Sequence, residues 1–416
     1  MPDTISPNAQ KVLSAFYANK MYERVVPGTD DLEGWRKAHA GGEQAGKAKN
    51  AKAVEMNQVT VTDAKLGGVP VVDVRPKNWK EKTKMKPLKH MGLFIVALLV
   101  VNTALWVEAA KALDPLPYWN DGPTKSAIVQ FVQDVTKQGG PKYVPPEARI
   151  ATFDQDGTLW CEQPVGQLAF VTYRIKQMAP KHPEWKDQQP YKAVLEGDKG
   201  FLVNDLTHNH GKALMELMVE THTGMPMADF NRKVKAFLNT SRHPKYDKKF
   251  TETIYQPMLE LLGYLRANGF KTYICSGGGI DFMRVFAEDT YGIVPENVIG
   301  SFSMNTFEQV DGKWQIIKDK KNLFINDGLT KPVGIDRQIG RIPIFACGNV
   351  RSGGDIGQLT YSHTNPLPNF QLLINHDDDV REFAYSEKDN ASLNAAQKGG
   401  WQVVSMKKDW KRIFPF

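Results

Sequence analysis

An α/β fold built on a doubly wound, mostly parallel sheet is predicted for this chain, and three observations predict it. Three short apolar runs, ending near Phe153, Cys275 and Ala346, each pass into a turn of glycine and small polar or acidic residues. Stretches of helix-period apolar spacing lie between them, as when strands alternate with crossover helices. Residues 161–249, between the first run and the second, read as a mainly helical cap inserted into that sheet.

The elements follow in chain order. Residues 1–84 form an N-terminal extension, helical in pattern from Asn8 to Tyr22 and alternating like two strands around Gly67-Gly68 from Val59 to Pro76. Residues 85–112 begin with a basic stretch, Met85 to Lys89, and continue apolar to about Val107. They close on Ala110-Lys111-Ala112, a small-x-small triplet of the kind signal peptidase cuts, so they read as an internal secretory signal peptide with Met85 as the natural start. Asn102 and Thr103 interrupt the run and leave it short for a membrane span. Two further readings stay open: a signal anchor through residues 91–107, with Lys80 to Lys89 on the cytoplasmic side, and a buried core helix. The first two readings make the rest of the chain periplasmic, secreted, or exported on a membrane anchor.

Residues 113–160 and 250–416 form the α/β core. Tyr118 to Val135 is helical and precedes the first strand. Gln256 to Gly269 is a well-signalled helix: Pro257 suits its first turn, Met258, Leu261, Leu262 and Leu265 make one apolar face, and Gly269 caps it. It feeds the strand beginning at Lys271. Val298 to Lys318, with Asp311-Gly312 at its centre, reads as a β-hairpin. Ile342–Ala346, Gln371–Ile374 and Gln402–Ser405 read as further strands, and Phe230, Val234, Phe237 and Leu238 mark one cap helix.

The chemistry concentrates at the ends of these strands. Arg149 to Leu159 delivers Asp154 and Asp156 into a Gly157-Thr158 turn. Residues two apart on a strand point the same way, so the acids emerge side by side. Crowded carboxylates repel unless a cation or a shared proton relieves them, which suits a magnesium site with an aspartate free to attack phosphorus. A plain Asp-x-Asp-Gly turn is the alternative; an EF-hand would need an acidic ladder that Trp160, Cys161 and Pro164 do not supply. The second strand ends in Ser276-Gly277-Gly278-Gly279, where a hydroxyl and glycine N–H groups can surround a phosphate. Lys331 starts a short helix ahead of the third strand, with Lys318, Lys320 and Lys321 as competitors for the same duty. The third strand runs into Gly348-Asn349-Val350-Arg351-Ser352-Gly353-Gly354-Asp355.

This series resembles the four motifs of the haloacid dehalogenase superfamily of phosphatases, whose first motif is Asp-x-Asp-Gly-Thr after an apolar strand. The resemblance spans roughly residues 114–416, with phosphoserine-phosphatase-like members the nearest comparison. It implies Asp154 as nucleophile, Asp156 as general acid and base, and Ser276, Gly277 and Lys331 as phosphate-binding residues. Magnesium would be held by Asp154, Asp156, Asp355 and Asn349, with Asp355 the direct ligand of the last two. The departures are Asn349 in place of an acid and the wider spacing to Asp355. Glu162 falls where such enzymes carry acids that recognise an amino group, with a capping or surface role as the alternative. A small phosphorylated metabolite is the implied substrate; a phosphate-binding pseudoenzyme and a phosphotransferase are the rival readings. Val59 to Pro76, ending in Arg75-Pro76, resembles the opening hairpin of hormone-sensitive-lipase-like α/β-hydrolases, but no His-Gly-Gly-Gly and no Gly-x-Ser-x-Gly occurs, which excludes an esterase.

Composition narrows the partners. The net charge of +7 is concentrated at the front, where residues 1–113 hold 17 Lys+Arg against 11 Asp+Glu. The core is therefore nearly neutral, and no nucleic-acid partner is expected there. Cys161, Cys275 and Cys347 are too few and scattered for a zinc site or a disulfide framework. His376-Asp377-Asp378-Asp379 follows a late strand, facing the site mouth or opening an acidic helix.

Overall fold

The computed structural model describes residues 59–66, 69–76, 114–208, 211–320, 323–351 and 353–416. The chain divides into two units, Met1–Trp106 and Val107–Phe416. In the first, β1 (Val59–Leu66) and β2 (Val69–Pro76) pair antiparallel, with Leu66 opposite Val69, as their alternation predicts. The signal-like segment 85–112 lies outside the described residues. Among the described residues, no helix is long and apolar enough to cross a membrane.

The second unit is built on a seven-stranded sheet. Its strands are β3 (Ile150–Phe153), β4 (Lys271–Gly279), β5 (Val298–Ser303), β8 (Leu323–Phe324), β9 (Phe345–Asn349), β10 (Phe370–Asn375) and β11 (Gln402–Ser405). The order is β11-β10-β9-β3-β4-β5-β8; all neighbours run parallel except β8, which pairs antiparallel with β5 at one edge. All four residues of β3, and all five of β9, are buried, as expected of central parallel strands.

Helix α1 (Pro123–Thr136) begins at a proline in its first turn and buries Ile128, Phe131, Val132 and Val135. It starts five residues later than the apolar pattern suggested, because Pro123 sets the N-terminus. The Phe131 ring lies 6.2 Å from Phe345 and 5.2 Å from Phe370, and Phe153 lies 5.6 Å from Phe345. Such aromatic pairs contribute about 0.5–1.5 kcal/mol each beyond area burial, so the helix is fixed against β9 and β10.

Between β3 and β4 run α2 (Gly166–Met178), α3 (Tyr191–Glu196), α4 (Lys199–His208), α5 (Lys212–His222), α6 (Met227–Thr240) and α7 (Gln256–Ala267). Val171, Ile175, Trp185, Tyr191, Val194 and Leu217 form a small core of their own within this insert. Phe170, by contrast, joins the main core through Phe230, Phe237 and Phe282. After β4 come the short α8 (Ile280–Arg284) and α9 (Ala287–Tyr291), and the remaining crossovers are α10 (Lys331–Ile339), α11 (Ile356–His363) and α12 (Ala391–Gly399).

Two boundaries differ from the sequence expectation. The hairpin read over Val298–Lys318 is split: Val298–Ser303 is the sheet strand β5, and only β6 (Thr306–Val310) and β7 (Lys313–Ile317) pair antiparallel about Asp311-Gly312. Five of the six β5 residues are buried, which suits a sheet interior better than a surface ribbon. The strand read over Ile342–Ala346 occupies Phe345–Asn349 instead. Pro343 lacks an N–H for the ladder and delays the pairing.

Candidate active site

Four parallel strands end on one side of the sheet, and their C-terminal ends carry the residues singled out above. Asp154 follows β3 directly, and its backbone N–H donates to the Cys347 carbonyl of β9 at 2.9 Å. The chain then turns tightly: the Gln155 carbonyl accepts from Thr158, Leu159 and Trp160, and the Gly157 N–H donates to the Trp160 carbonyl at 2.9 Å. Gly157 sits at φ +73°, and a Cβ there would lie 2.7 Å from Asn349 Nδ2 and 2.8 Å from Glu162 Oε1. Only glycine fits this turn. The strand has ended before Asp156, so the two acids emerge from a loop rather than from one strand face. Trp160 Nε1 donates to Asp156 Oδ1 at 2.8 Å and holds the second carboxyl in place.

Lys331, the first residue of α10, reaches into the centre of the site. Its Nζ donates to Asp154 Oδ1 at 2.8 Å and to Asp355 Oδ1 at 2.5 Å. Burial opposes its charge, but the Asp154 and Asp355 carboxylates outweigh it and hold the ammonium well above the usual lysine range. Burial and the Asp355 carboxylate push Asp154 upward, and Lys331 opposes them. Among the competing lysines, Lys318 pairs with Asp281 instead. Burial also pushes Asp156 up to about 6, the Trp160 hydrogen bond working against it and the Glu162 charge with it.

Asp355 is fully engaged. Its Oδ1 accepts from Lys331 and from Gln358 Nε2 (2.8 Å), and its Oδ2 accepts from the Asn349 backbone N–H at 2.9 Å. Asn349 donates its amide to the Asp156 carbonyl at 2.6 Å and to Thr158 Oγ1 at 3.2 Å, and its buried Oδ1 has no partner. Asp355 thus orients Lys331 and the Asn349 backbone, and the Asn349 amide oxygen is left without a partner.

At the end of β4, Ser276 Oγ accepts from the Gly278 N–H at 3.1 Å, and the Ser276 carbonyl accepts from Asn326 Nδ2 at 2.9 Å. Gly277 lies beside Asp327, whose atoms come within 3.2 Å of where a Cβ would be. One cavity of about 170 Å³ is lined by Asp154, Asp156, Ser276, Gly277, Lys331, Asn349 and Asp355 together, along with Glu162, Val165, Asp327, Arg351 and Gly354. All seven sequence-selected residues share it.

Sequence reasoning missed Asn326, Gln358 and Arg351. Gln358 stands three residues after Asp355 at the start of α11, a spacing that brings side chains together and could have been noticed. Glu162 is not a free recognition acid: it is buried and ion-paired with Arg351, which is half exposed in the cavity. That pairing joins residues 189 apart and leaves no local signal.

Among the described residues, no group of three or more His, Cys, Asp or Glu gathers as a metal site. Asp154, Asp156 and Asn349 line the same cavity, and the buried amide oxygen of Asn349 has no partner. Hard oxygen donors of this kind fit magnesium, which keeps several waters and accepts few protein ligands.

Residues 151–321 match the family model of haloacid dehalogenase-like hydrolases. That stretch is similar to a haloacid dehalogenase-like hydrolase domain. The mostly parallel sheet with flanking helices is an α/β fold of that family's kind. No curated protein matches the chain. Among solved structures, a conserved functionally unknown protein from Anaerococcus prevotii DSM 20548 is similar at 17% identity and TM-score 0.45, covering 70% of this chain and 94% of that one. A haloacid dehalogenase family hydrolase from Salmonella enterica serovar Typhi shows 16% identity and TM-score 0.31, with 88% and 94% covered. A phosphoserine phosphohydrolase-like protein from Francisella tularensis shows 16% and 0.31, with 60% and 99% covered. Likenesses at this level do not bear on what this chain acts upon.

Proposed function

We propose that this haloacid dehalogenase-like hydrolase is a magnesium-dependent phosphatase that cleaves a small phosphomonoester through an aspartyl-phosphate. The observation that carries the reading is Asp154 held against Lys331 in one cavity with Asp156 and Ser276. Asp154 attacks phosphorus in line as the oxygen of the alcohol departs. Asp156, raised toward neutrality by burial, protonates that oxygen and then takes a proton from the water that hydrolyses the acyl phosphate. Lys331, the Ser276 hydroxyl and the Gly277 N–H bind the phosphoryl oxygens, while the Gly278 and Gly279 N–H groups already donate to Ser276 Oγ and Gln167 Oε1. A divalent cation, when bound, would be held by Asp154, the Asp156 carbonyl and Asn349 Oδ1, and would supply charge neutralisation at the phosphate.

The test is hydrolysis of p-nitrophenyl phosphate by the full chain with and without Mg²⁺. Metal-dependent turnover that disappears in Asp154→Asn supports the reading, and a wild-type protein without turnover refutes it. The weakened charge at Asn349 favours one rival, a phosphate-binding pseudoenzyme, which would bind phosphate but release no nitrophenol. A phosphotransferase would pass the phosphate to an added acceptor alcohol. Residues 85–112 are proposed to direct export; an exported chain beginning at Leu113 would support cleavage, and a cytosolic chain retaining Met85 would refute it.

A further inference from the structure

Behind the turn that carries Asp156 lies a buried polar cluster that the reaction does not touch. His376, immediately after β10, is fully buried, and its Nε2 lies 2.7 Å from the Gly157 carbonyl. Its Nδ1 lies 3.3 Å from Glu382 Oε2. A carbonyl only accepts, so Nε2 must carry a hydrogen. Glu382 is equally saturated with donors. Its Oε1 receives the Cys161 thiol at 3.0 Å and the Tyr255 hydroxyl at 3.1 Å, and its Oε2 receives the Phe383 N–H at 2.6 Å. A carboxyl facing this many donors is a carboxylate, and the Nδ1 edge of His376 is held against it. The Tyr385 ring stacks on the imidazole at 4.2 Å.

The Gly157 carbonyl belongs to the peptide that follows the left-handed residue, and the Asp156 carbonyl on the other side is held by Asn349. We infer that His376, oriented by Glu382, is a positioning residue: its hydrogen bond to the Gly157 carbonyl fixes the turn and thereby the Asp156 carboxyl. The sequence left His376 at the site mouth or opening an acidic helix; it is neither. Removing the donor leaves the Gly157 carbonyl buried and unpaired and lets the turn relax. A displacement of about 1 Å at a reacting group lowers turnover by about 10²-fold.

This inference rests on the phosphatase reading, and the test separates the two. A glutamine at 376 places its amide nitrogen where Nε2 stands and keeps the bond to Gly157; an asparagine is too short to reach it. With p-nitrophenyl phosphate, His376→Asn is expected to lose about 10²-fold in kcat with KM within twofold, and His376→Gln to stay within about tenfold of wild type. Crystal structures of both variants read the same point without activity: Asp156 should be displaced in His376→Asn and in place in His376→Gln. An active wild type whose His376→Asn variant matches it in kcat, or an unmoved Asp156 in that variant, overturns the inference. If His376→Asn does not fold, a folded His376→Gln with kcat down 10²-fold overturns it, and one near wild type supports it. An inactive wild type with Asp156 displaced only in His376→Asn would refute the phosphatase reading and leave the clamp standing.

Discussion

Lys331 stands between two buried carboxylates, Asp154 and Asp355, and among the described residues neither is ion-paired with another cation. A methionine of similar length would leave both acids uncompensated. Breaking a buried pair from one side costs about 3–5 kcal/mol, because the stranded charge stays buried. Lys331→Met should therefore lower the urea midpoint by a corresponding amount and remove phosphatase turnover. Asp154→Asn should remove turnover while leaving the midpoint nearly in place, since Asp355 still balances the lysine. Equal midpoints for Lys331→Met and wild type would show that the lysine is not the counter-ion of the site. At this scale the sequence reveals residues whose role is local. Asp154, Asp156, Gly157 and Ser276 stand in strand–turn patterns with one chemical sense, and Lys331 stands at a helix start. Division of labour between Asn349 and Asp355 was not legible, because it depends on which donors reach each oxygen. Arg351 and His376 were missed as partners of Glu162 and Gly157 for the same reason: those contacts join residues 189 and 219 apart.

At the level of elements, α2 is the join between the insert and the sheet. Phe170 on its inner face is fully buried and meets Phe230 at 5.8 Å, Phe237 at 5.5 Å and Phe282 at 5.5 Å. Two of those rings come from α6 and one from α8, so a single side chain ties three helices together. Truncating a buried phenylalanine costs about 3–5 kcal/mol when the neighbours cannot close the gap. Phe170→Ala is expected to fall in that range by urea unfolding, and a loss below about 1 kcal/mol would show that the helices repack around the hole. The insert was legible as helical because Phe230, Val234, Phe237 and Leu238 repeat at helix spacing and all four are buried in α6. The core strands were legible from their short apolar runs, yet their ends were not. Pro343 moved β9 downstream, and β5 was hidden because an apolar strand next to a hairpin shares its pattern. Register belongs to the partner strand, which a single run of residues does not contain.

For the Val107–Phe416 unit as a whole, pH should act through buried histidine and through the buried acid Asp156 in opposite senses. His222, at the end of α5, is buried with Gln167 Nε2 at 3.0 Å from its Nε2 and Thr221 Oγ1 at 2.8 Å from its Nδ1. The glutamine amide donates, so Nε2 is an acceptor and the ring is neutral. Burial, then the Lys318 and Arg174 charges, push its pKa from 6.5 down to about 3. The sign follows from where the proton goes. Between these two values the unfolded chain takes up a proton that the folded ring refuses, so acid favours unfolding. Stability is full above pH 6.5 and declines as pH falls toward 3. The slope is at most about 1.4 kcal/mol per pH unit from this one group. His243 is buried and pushed downward in the same way, whereas Asp156, raised from 3.8 to about 6, takes up its proton in the folded state first and works in the opposite sense, so the wild-type slope contains all three. Between pH 7.5 and 4.5 the thermal midpoint of His222→Gln should lose less, relative to its value at pH 7.5, than that of wild type. A variant whose midpoint follows the same curve as wild type would mean that His222 accepts its proton in the folded protein, and that the Gln167 contact between α2 and α5 opens at mild acidity.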